Sequence, residues 1–183
     1  MMRVIAGKAK GHKLIAPAGI KTRPTGDRMK EDLFNILSSR IIGSRFLDLY
    51  CGSGAIGIEA LSRKAEEAVF VDHSKEAIKV AKANLQKTSL TDRAKIFHMP
   101  VKEALNRLNT DFDIIFLDPP YKSSDIFDIL PKLPAILAES GIVIIECPKN
   151  TAYRSAGLSL SRLKTYSQTQ FLFFEKEERI CLI

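Results

Sequence analysis

The chain has 183 residues, of which 45% are hydrophobic and 27% are charged, a composition that fits one compact globular domain. No apolar run approaches the roughly 20 residues needed to cross a bilayer, and the first residues lack the apolar core of a secretory signal. Three cysteines, Cys51, Cys147 and Cys181, are scattered without metal-like spacing. We therefore expect a cytoplasmic protein without a membrane partner and without a metal site.

The net charge of +7 is concentrated at the amino terminus, because residues 1–30 hold eight basic residues against Asp27 alone and the rest of the chain is balanced. A localised excess indicates a site for a polyanion, whereas a lysine-rich flexible tail is the plain alternative. Two short β-type runs separated by Lys10-Gly11 favour an ordered hairpin. We predict a basic arm over residues 1–24 and a single domain over 25–183, with nucleic-acid contacts from Arg3, Lys8, Lys10, Lys13, Arg23 and Arg28.

After Pro24 the apolar residues follow a helical spacing up to Ile41, with Thr25 or Asp27 available as the N-cap. Short apolar runs then alternate with amphipathic segments. We predict strands at 45–51, 67–73, 94–99, 113–118 and 141–148, and two final strands at 160–167 and 169–177. Helices are predicted at 55–64, at 75–87 with Ser74 as the cap, at 101–108 and from 124 until Pro131 and Pro134 interrupt it, with Pro134 opening a second short helix. This order predicts an α/β fold: a mostly parallel seven-stranded sheet, doubly wound, with an antiparallel C-terminal hairpin at one edge.

A glycine-rich loop, "DLYCGSGAIGIEAL", joins the first predicted strand to its helix. The G-x-G-x-x-G spacing, with an acidic residue twenty positions after the first glycine, is typical of a nucleotide-type cofactor site. A dinucleotide and a merely structural turn are the alternatives. Asp48 would repel a pyrophosphate but suits the cationic S-adenosylmethionine, which we therefore predict as the cofactor. The predicted cofactor-binding residues are Asp48, Tyr50, Gly52, Gly54, Gly57 and Asp72, with Met99 and Val101 as apolar faces for the adenine.

The fourth predicted strand stops abruptly at Asp118-Pro119-Pro120-Tyr121, where neither proline can continue a sheet. Strands one and four should be neighbours, so this motif should face the glycine loop across one crevice. The Asp118 carboxylate and the Pro119 carbonyl suit the two hydrogens of a planar exocyclic amine, with Pro120 stiffening the backbone and Tyr121 stacking on a flipped-out base. The plain alternative is that the prolines only end the strand, with Asp118 as an N-cap. Whether Asp118 also takes the released proton is left open.

These motifs resemble the Rossmann-like class I methyltransferases that modify exocyclic amines. The N-terminal "MRVIAGKAKGHKLIAP" and "TRPTGDRMKEDLFNIL" resemble, more narrowly, the RsmD family of bacterial 16S rRNA guanine-N2 methyltransferases. The resemblance spans nearly the whole chain and implies a guanine of 16S rRNA in the small ribosomal subunit, or an assembly intermediate, as substrate and partner. It also implies that the segment Arg23–Arg28 lies near the active site. We predict that Arg23, Thr25 and the amides of the first helical turn help to hold the methionine carboxylate or the RNA backbone, although a helix cap with a surface turn would explain that segment equally. We expect a monomer.

The chain departs from the family pattern at Lys30 and Asp32, interpreted as surface variation, and at Ser167 in the final hairpin. An adenine-N6 DNA or RNA methyltransferase shares the Asp-Pro-Pro-Tyr motif, but no separate target-reading region is evident. A C5-pyrimidine methyltransferase needs a nucleophilic cysteine, whereas Cys51 and Cys147 are expected to be buried. An NAD-dependent oxidoreductase is disfavoured by Asp48. A non-catalytic RNA-binding module would not need both motifs.

Overall fold

The computed structural model describes residues 2–16, 26–120 and 124–177. The strands are β1 (Arg45–Leu49), β2 (Glu67–Asp72), β3 (Ala94–His98), β4 (Phe112–Leu117), β5 (Leu137–Pro148), β6 (Leu158–Thr165) and β7 (Thr169–Lys176). The helices are α1 (Asp27–Leu37), α2 (Ala55–Ser62), α3 (Lys75–Lys87), α4 (Val101–Leu105) and α5 (Ile126–Ile129), with 3₁₀ turns at Ser38–Ile41, Thr91–Arg93 and Leu130–Ala135. Within these described residues, no helix is long and apolar enough to span a bilayer.

All seven strands form one sheet in the order β3-β2-β1-β4-β5-β7-β6. The first five pair in parallel, and β7 pairs antiparallel with both β5 and β6. The predicted mostly parallel sheet with an antiparallel C-terminal hairpin is therefore confirmed. Because β1 lies between β2 and β4, the chain reverses its winding direction there, which is where such folds open a ligand crevice.

Helices cover both faces of the sheet, and each face has its own core. Alternate strand residues such as Phe46 and Phe116 pack beneath the α1–α3 face, whereas Leu47 and Leu117 pack beneath the α4–α5 face. This alternation follows from the two-residue period of a strand. It also decides which polar side chains at the strand ends share one side of the crevice.

Several predicted boundaries change in the structure. The N-cap of α1 is Gly26, without a side-chain cap bond, so Asp27 is the first helical residue and not the cap; Thr25 lies outside the described residues. The Ser74 cap of α3 is confirmed, since its hydroxyl accepts a bond from the Ala77 N–H. The helix predicted from residue 124 is only α5, after which the prolines impose a 3₁₀ turn. The second helix predicted to open at Pro134 was wrong, because Pro134 lies inside this turn and β5 begins at Leu137. Strand β5 begins four residues earlier than predicted, because Leu137 already pairs with Phe112.

Residues 2–16 fold back on themselves and lie against α2. An antiparallel bridge joins Arg3 to Lys13, and the Val4 N–H donates to the His12 carbonyl. The backbone N–H groups of Ile5 and Ala6 both donate to the buried Glu59 carboxylate, at 2.8 and 3.0 Å. This segment is therefore fixed to the body of the protein, and the predicted domain boundary at residue 24 lies outside the described residues.

Candidate active site

The carboxyl ends of β1 and β4 lie side by side. Asp48 of β1 is in register with Phe116 of β4, and Leu49 is in register with Leu117. The glycine loop that follows β1 and the Asp118-Pro119-Pro120 segment that follows β4 therefore leave the sheet at the same edge. The two motifs therefore meet at the edge of the sheet where the sequence predicts the crevice.

The glycine loop needs its glycines for two different reasons. Gly52 has φ +53, a left-handed conformation that side chains disfavour, and a Cβ added there would have nothing within 4 Å. Gly57 has an ordinary backbone, but its Cβ would lie 2.3 Å from the Phe70 ring and 3.1 Å from Asp48 Oδ2. The loop is thus open at Gly52, where a ligand can approach the backbone, and tightly packed at Gly57, where α2 meets the sheet.

Asp72 ends β2 beside this loop and is held in a fixed orientation. Its Oδ2 accepts the Gly52 N–H at 2.9 Å, and its Oδ1 accepts the Ser74 N–H at 2.8 Å. A carboxylate has about four lone-pair sites, so each oxygen can accept a further bond. Asp72 is therefore suited to accept ribose hydroxyls from a nucleoside placed over the loop.

Asp48 lies deeper, with 2% of its surface exposed. Its Oδ2 accepts the Gly57 N–H at 2.9 Å, which ties the end of β1 to the first turn of α2. Burial raises the pKa of Asp48 to about 7; the charge of Asp72 adds to this rise and the Gly57 N–H opposes it. A cation bound nearby would lower this pKa, so the position favours a positively charged ligand.

Tyr50 carries an unusual hydroxyl. Its backbone has φ +60, and among the described residues its buried Oη is the side-chain polar atom left without a hydrogen-bond partner. Burial raises its pKa to about 12, with further contributions from Asp125 and Asp72. Buried hydroxyls normally have partners, so an unpaired one between the glycine loop and Asp125 indicates a place where a ligand group binds.

Asp118 follows β4 at the mouth of the crevice. It keeps an open face toward solvent, yet the protein atoms packed around it, and then the charges of Glu146 and Asp48, raise its pKa well above the usual carboxyl value. Water on the open face moderates this rise in the pKa of Asp118. Pro119 is buried and Pro120 is exposed, while Tyr121, the predicted stacking residue, lies outside the described residues.

The predicted adenine contacts lie next to Asp72. The Met99 N–H donates to the Asp72 carbonyl at 3.1 Å, and the Met99 side chain is half-buried against the α4–α5 face. Val101 opens α4 and is buried in the same cluster. The structure therefore brings both residues to the predicted side of the crevice, and their contact with a base stays a prediction.

Sequence reasoning missed two residues of this region. Glu146 lies in the buried part of β5, next to Cys147, and beside Asp118. The signal for it was an acid closing the apolar run "IVII", just as Asp118 closes "IIFL". Asn84 of α3 donates to the carbonyl of Ser53 in the glycine loop at 2.9 Å. No sequence pattern marks Asn84, because a polar residue on an amphipathic helix is expected to face water.

The predicted nucleic-acid contacts are mostly exposed. Lys8, Lys10, Lys13 and Arg28 face solvent, Arg3 is exposed but paired with Asp27 at 2.9 Å, and Arg23 lies outside the described residues. Lys30, interpreted from sequence as surface variation, is instead 1% exposed. Its Nζ lies 3.3 Å from Glu59 Oε2 and also donates to the Arg3 carbonyl, so that interpretation was wrong.

The residues of the crevice fit S-adenosylmethionine. The acids Asp48 and Asp72 stand where a phosphate would be repelled but where a sulfonium and an ammonium are attracted. The loop is open at Gly52, and the unpaired Tyr50 hydroxyl is available to a polar group of the ligand. Cys51 and Cys147 are buried free thiols whose pKa values are raised by burial, as expected for packing residues and not for nucleophiles.

The chain is similar to known proteins over nearly its whole length. The family model described as "Conserved hypothetical protein 95" matches residues 2–175. YlbH of Bacillus subtilis (strain 168) is 38% identical over 182 residues, covering 96% of this chain and 99% of that protein. Ribosomal RNA small subunit methyltransferase D of Escherichia coli (strain K12) is 30% identical over 180 residues, covering 96% and 90%. The solved structure of yhhF from Escherichia coli has a TM-score of 0.86 at 31% identity, covering 96% and 98%. These matches confirm the family resemblance that the motifs suggested.

Proposed function

This chain belongs to the family described as Conserved hypothetical protein 95, and we propose that it transfers a methyl group from S-adenosylmethionine to the exocyclic N2 amine of a guanine in 16S rRNA. The observation that carries the proposal is the register of β1 with β4, which sets the glycine loop beside Asp118-Pro119-Pro120. One motif suits a cationic methyl donor and the other suits an amine acceptor. The similarity to ribosomal RNA small subunit methyltransferase D supports the class of RNA.

Different residues of the chain bind the cofactor and the substrate amine. Asp72 and the open backbone at Gly52 hold the nucleoside part of the cofactor, and Asp48 supplies negative charge beneath its cationic part. When bound, the cofactor supplies an electrophilic methyl group on a sulfonium, so that the S–CH₃ bond breaks as the N–CH₃ bond forms and the amine then loses one proton. Asp118 and the Pro119 carbonyl accept the two amine hydrogens and aim the nitrogen lone pair.

We also assign the released proton to Asp118. The position of Asp118 beside the amine-binding motif supports this role, and so does its pKa, which its packed surroundings, Glu146 and Asp48 raise well above the usual carboxyl value. Lys8, Lys10 and Lys13 form the exposed basic surface that contacts the RNA backbone. Since residues 2–16 are fixed to α2, this surface acts as a rigid part of the enzyme and not as a flexible tail. One chain carries both motifs, so we propose that the enzyme works as a monomer. The similarity to a ribosomal RNA methyltransferase supports a cytoplasmic location.

The test is methyl transfer from tritiated S-adenosylmethionine to small ribosomal subunits, and separately to deproteinised 16S rRNA, from a strain that lacks its own counterpart of this protein. Digestion to nucleosides should give label only in N2-methylguanosine. Label in N6-methyladenosine would favour the adenine-N6 alternative, and no transfer to either substrate would contradict the proposal.

A further inference from the structure

Glu146 lies beside Asp118 at the same edge of the sheet. Leu117 and Ile145 are paired in register, so Asp118, which directly follows β4, lies beside Glu146, which is still within β5. Glu146 shares the α1–α3 face with Ile144, and only 5% of its surface is exposed. It therefore belongs to the wall of the crevice on the side of the amine-binding motif.

Two further contacts fix the surroundings of Glu146. Phe171 of β7 is its register partner, and Tyr166 packs edge-on against Phe171 with ring centroids 5.6 Å apart. The charge of Glu146 contributes to the raised pKa of Asp118 and to that of Tyr166. Because its charge raises the pKa of both Asp118 and Tyr166, the Glu146 carboxyl group lies between Asp118 and the aromatic pair of Tyr166 and Phe171.

Placing a second carboxyl group next to Asp118 is unfavourable, because two like charges repel each other and burial costs Glu146 its solvation. A substrate that brings several N–H donors into this corner would relieve both costs. Guanine has such an edge, since its N1–H lies directly beside its 2-amine. In adenine the ring N1 carries no hydrogen and is itself an acceptor. It would therefore face a carboxylate oxygen without a hydrogen bond between them.

We propose that Glu146 recognises the guanine base, its carboxylate accepting the N1–H while Asp118 and the Pro119 carbonyl accept the 2-amine hydrogens. This rests on the proposed guanine-N2 activity and adds the reason for its base selectivity. A site built to accept an N–H rejects an analogue that lacks it, by factors that reach about 10⁴ when the unmatched group is buried. Glu146 is thus the specificity-determining residue, distinct from the amine-orienting pair.

The experiment uses two synthetic RNAs that differ only at the target guanosine, whose position is first mapped by mass spectrometry of ribonuclease fragments of the methylated 16S rRNA. One carries guanosine, and the other carries 2,6-diaminopurine riboside, which keeps the 2-amine but has an acceptor at N1. Single-turnover rates of methyl transfer are measured for the wild type and for Glu146→Gln. The wild type should prefer guanosine by at least about 100-fold. In Glu146→Gln the amide can donate to the diaminopurine N1, so this preference should fall by at least about tenfold.

The matched control is Glu175→Gln, the same chemical change in β7 at the opposite end of the sheet, where Glu175 pairs with Arg40 at 2.7 Å. It should leave the base preference unchanged. Binding of S-adenosylhomocysteine to each variant checks that the fold is intact. If Glu146→Gln slows both RNAs by the same factor while the wild type methylates guanosine, the role given to Glu146 is wrong and the proposed function stands. If the wild type transfers nothing to guanosine, both are wrong.

Discussion

The side-chain amide of Asn84 donates a 2.9 Å hydrogen bond to the carbonyl oxygen of Ser53 in the glycine loop. The same amide group pairs with the backbone of Ile15, accepting its N–H at 2.8 Å and donating to its carbonyl at 2.9 Å. Asn84 is fully buried. One side chain of α3 therefore joins the basic N-terminal segment to the loop that should hold the cofactor.

Replacing Asn84 by Leu should lower both the affinity for the cofactor and the stability of the folded protein. The change removes the side-chain partner of three part-buried backbone groups of Ile15 and Ser53. An unpaired group costs about 1–3 kcal/mol where water cannot reach it, and less where it can. We expect at least a tenfold loss of affinity for S-adenosylhomocysteine in calorimetry and a lower urea midpoint. The control is Asn106→Leu, which removes only an exposed bond to Lys132 and should change neither value. Equal cofactor affinity in the two variants would contradict the coupling.

Neutralising Glu59 should destabilise the fold strongly. Glu59 is fully buried, and it accepts the N–H groups of residues 5 and 6 while pairing with Lys30 and with Arg63. Removing one partner of a buried ion pair costs about 3–5 kcal/mol, because the other charge stays buried. Urea unfolding of Glu59→Gln should show a loss of that order.

The control for this variant is Glu103→Gln, whose partner Arg107 is one helical turn away on the surface of the protein. Exposed pairs of this kind contribute about 0–1 kcal/mol, so the control should unfold close to the wild type. A loss in Glu59→Gln no larger than that in Glu103→Gln would show that the buried pair does not hold the N-terminal segment in place.

Cofactor affinity should rise with pH between pH 6 and 8. Burial raises the pKa of Asp48 to about 7, against about 3.9 for a free aspartate. Between these two pKa values the folded protein keeps a proton that the unfolded chain releases. This difference stabilises the folded state at low pH, and the stabilisation is lost as the pH rises through 7. A cationic ligand requires the ionised form, so affinity should increase about tenfold over this range.

Calorimetry with S-adenosylmethionine at the two pH values tests the role of Asp48, and proton release at pH 7 is read from buffers of different ionisation enthalpy. In Asp48→Asn the increase should disappear, whereas Asp111→Asn, at an exposed position, should keep it. Wild-type affinity that is equal at pH 6 and 8 would mean that Asp48 does not lie beneath the cationic part of the cofactor.

Neutralising Lys8, Lys10 and Lys13 together should weaken RNA binding and flatten its dependence on salt. Each lost phosphate contact lowers the slope of log affinity against log salt by about 0.7–0.9. Filter binding of 16S rRNA at several salt concentrations gives this slope. The control changes three other lysines, Lys87, Lys95 and Lys132, and should leave the slope unchanged. An unchanged slope in the first variant would place the RNA surface elsewhere.

The sequence predicts the sheet and the two motifs of the crevice because their signals are local. The apolar run 114–117 predicts a buried strand, and Asp118 with the two prolines after it marks where the strand ends. The glycine spacing predicts the turn after β1. Parallel pairing then brings these ends together without any knowledge of side-chain contacts. The predicted Ser74 cap is local in the same way and is confirmed.

The contacts that the sequence does not predict join residues far apart in the chain. Lys30 is expected on the surface, and only its buried partner Glu59 explains its burial. Burial lowers the pKa of Lys30, an effect that the paired Glu59 partly offsets. Asn84 is missed for the same reason, since Ile15 and Ser53 are brought to it by the fold.

The most direct test of the methyl-transfer account is the single-turnover rate of Asp118→Ala on the guanosine RNA, measured beside Asp118→Asn. The alanine variant loses an acceptor for the amine and should be slower by at least about 10²–10³-fold, the usual effect of removing one preorganised group. Asparagine keeps a carbonyl acceptor and should retain more of the rate. Affinity for S-adenosylhomocysteine should stay within a few-fold in both. An Asp118→Ala rate close to that of the wild type would contradict the account.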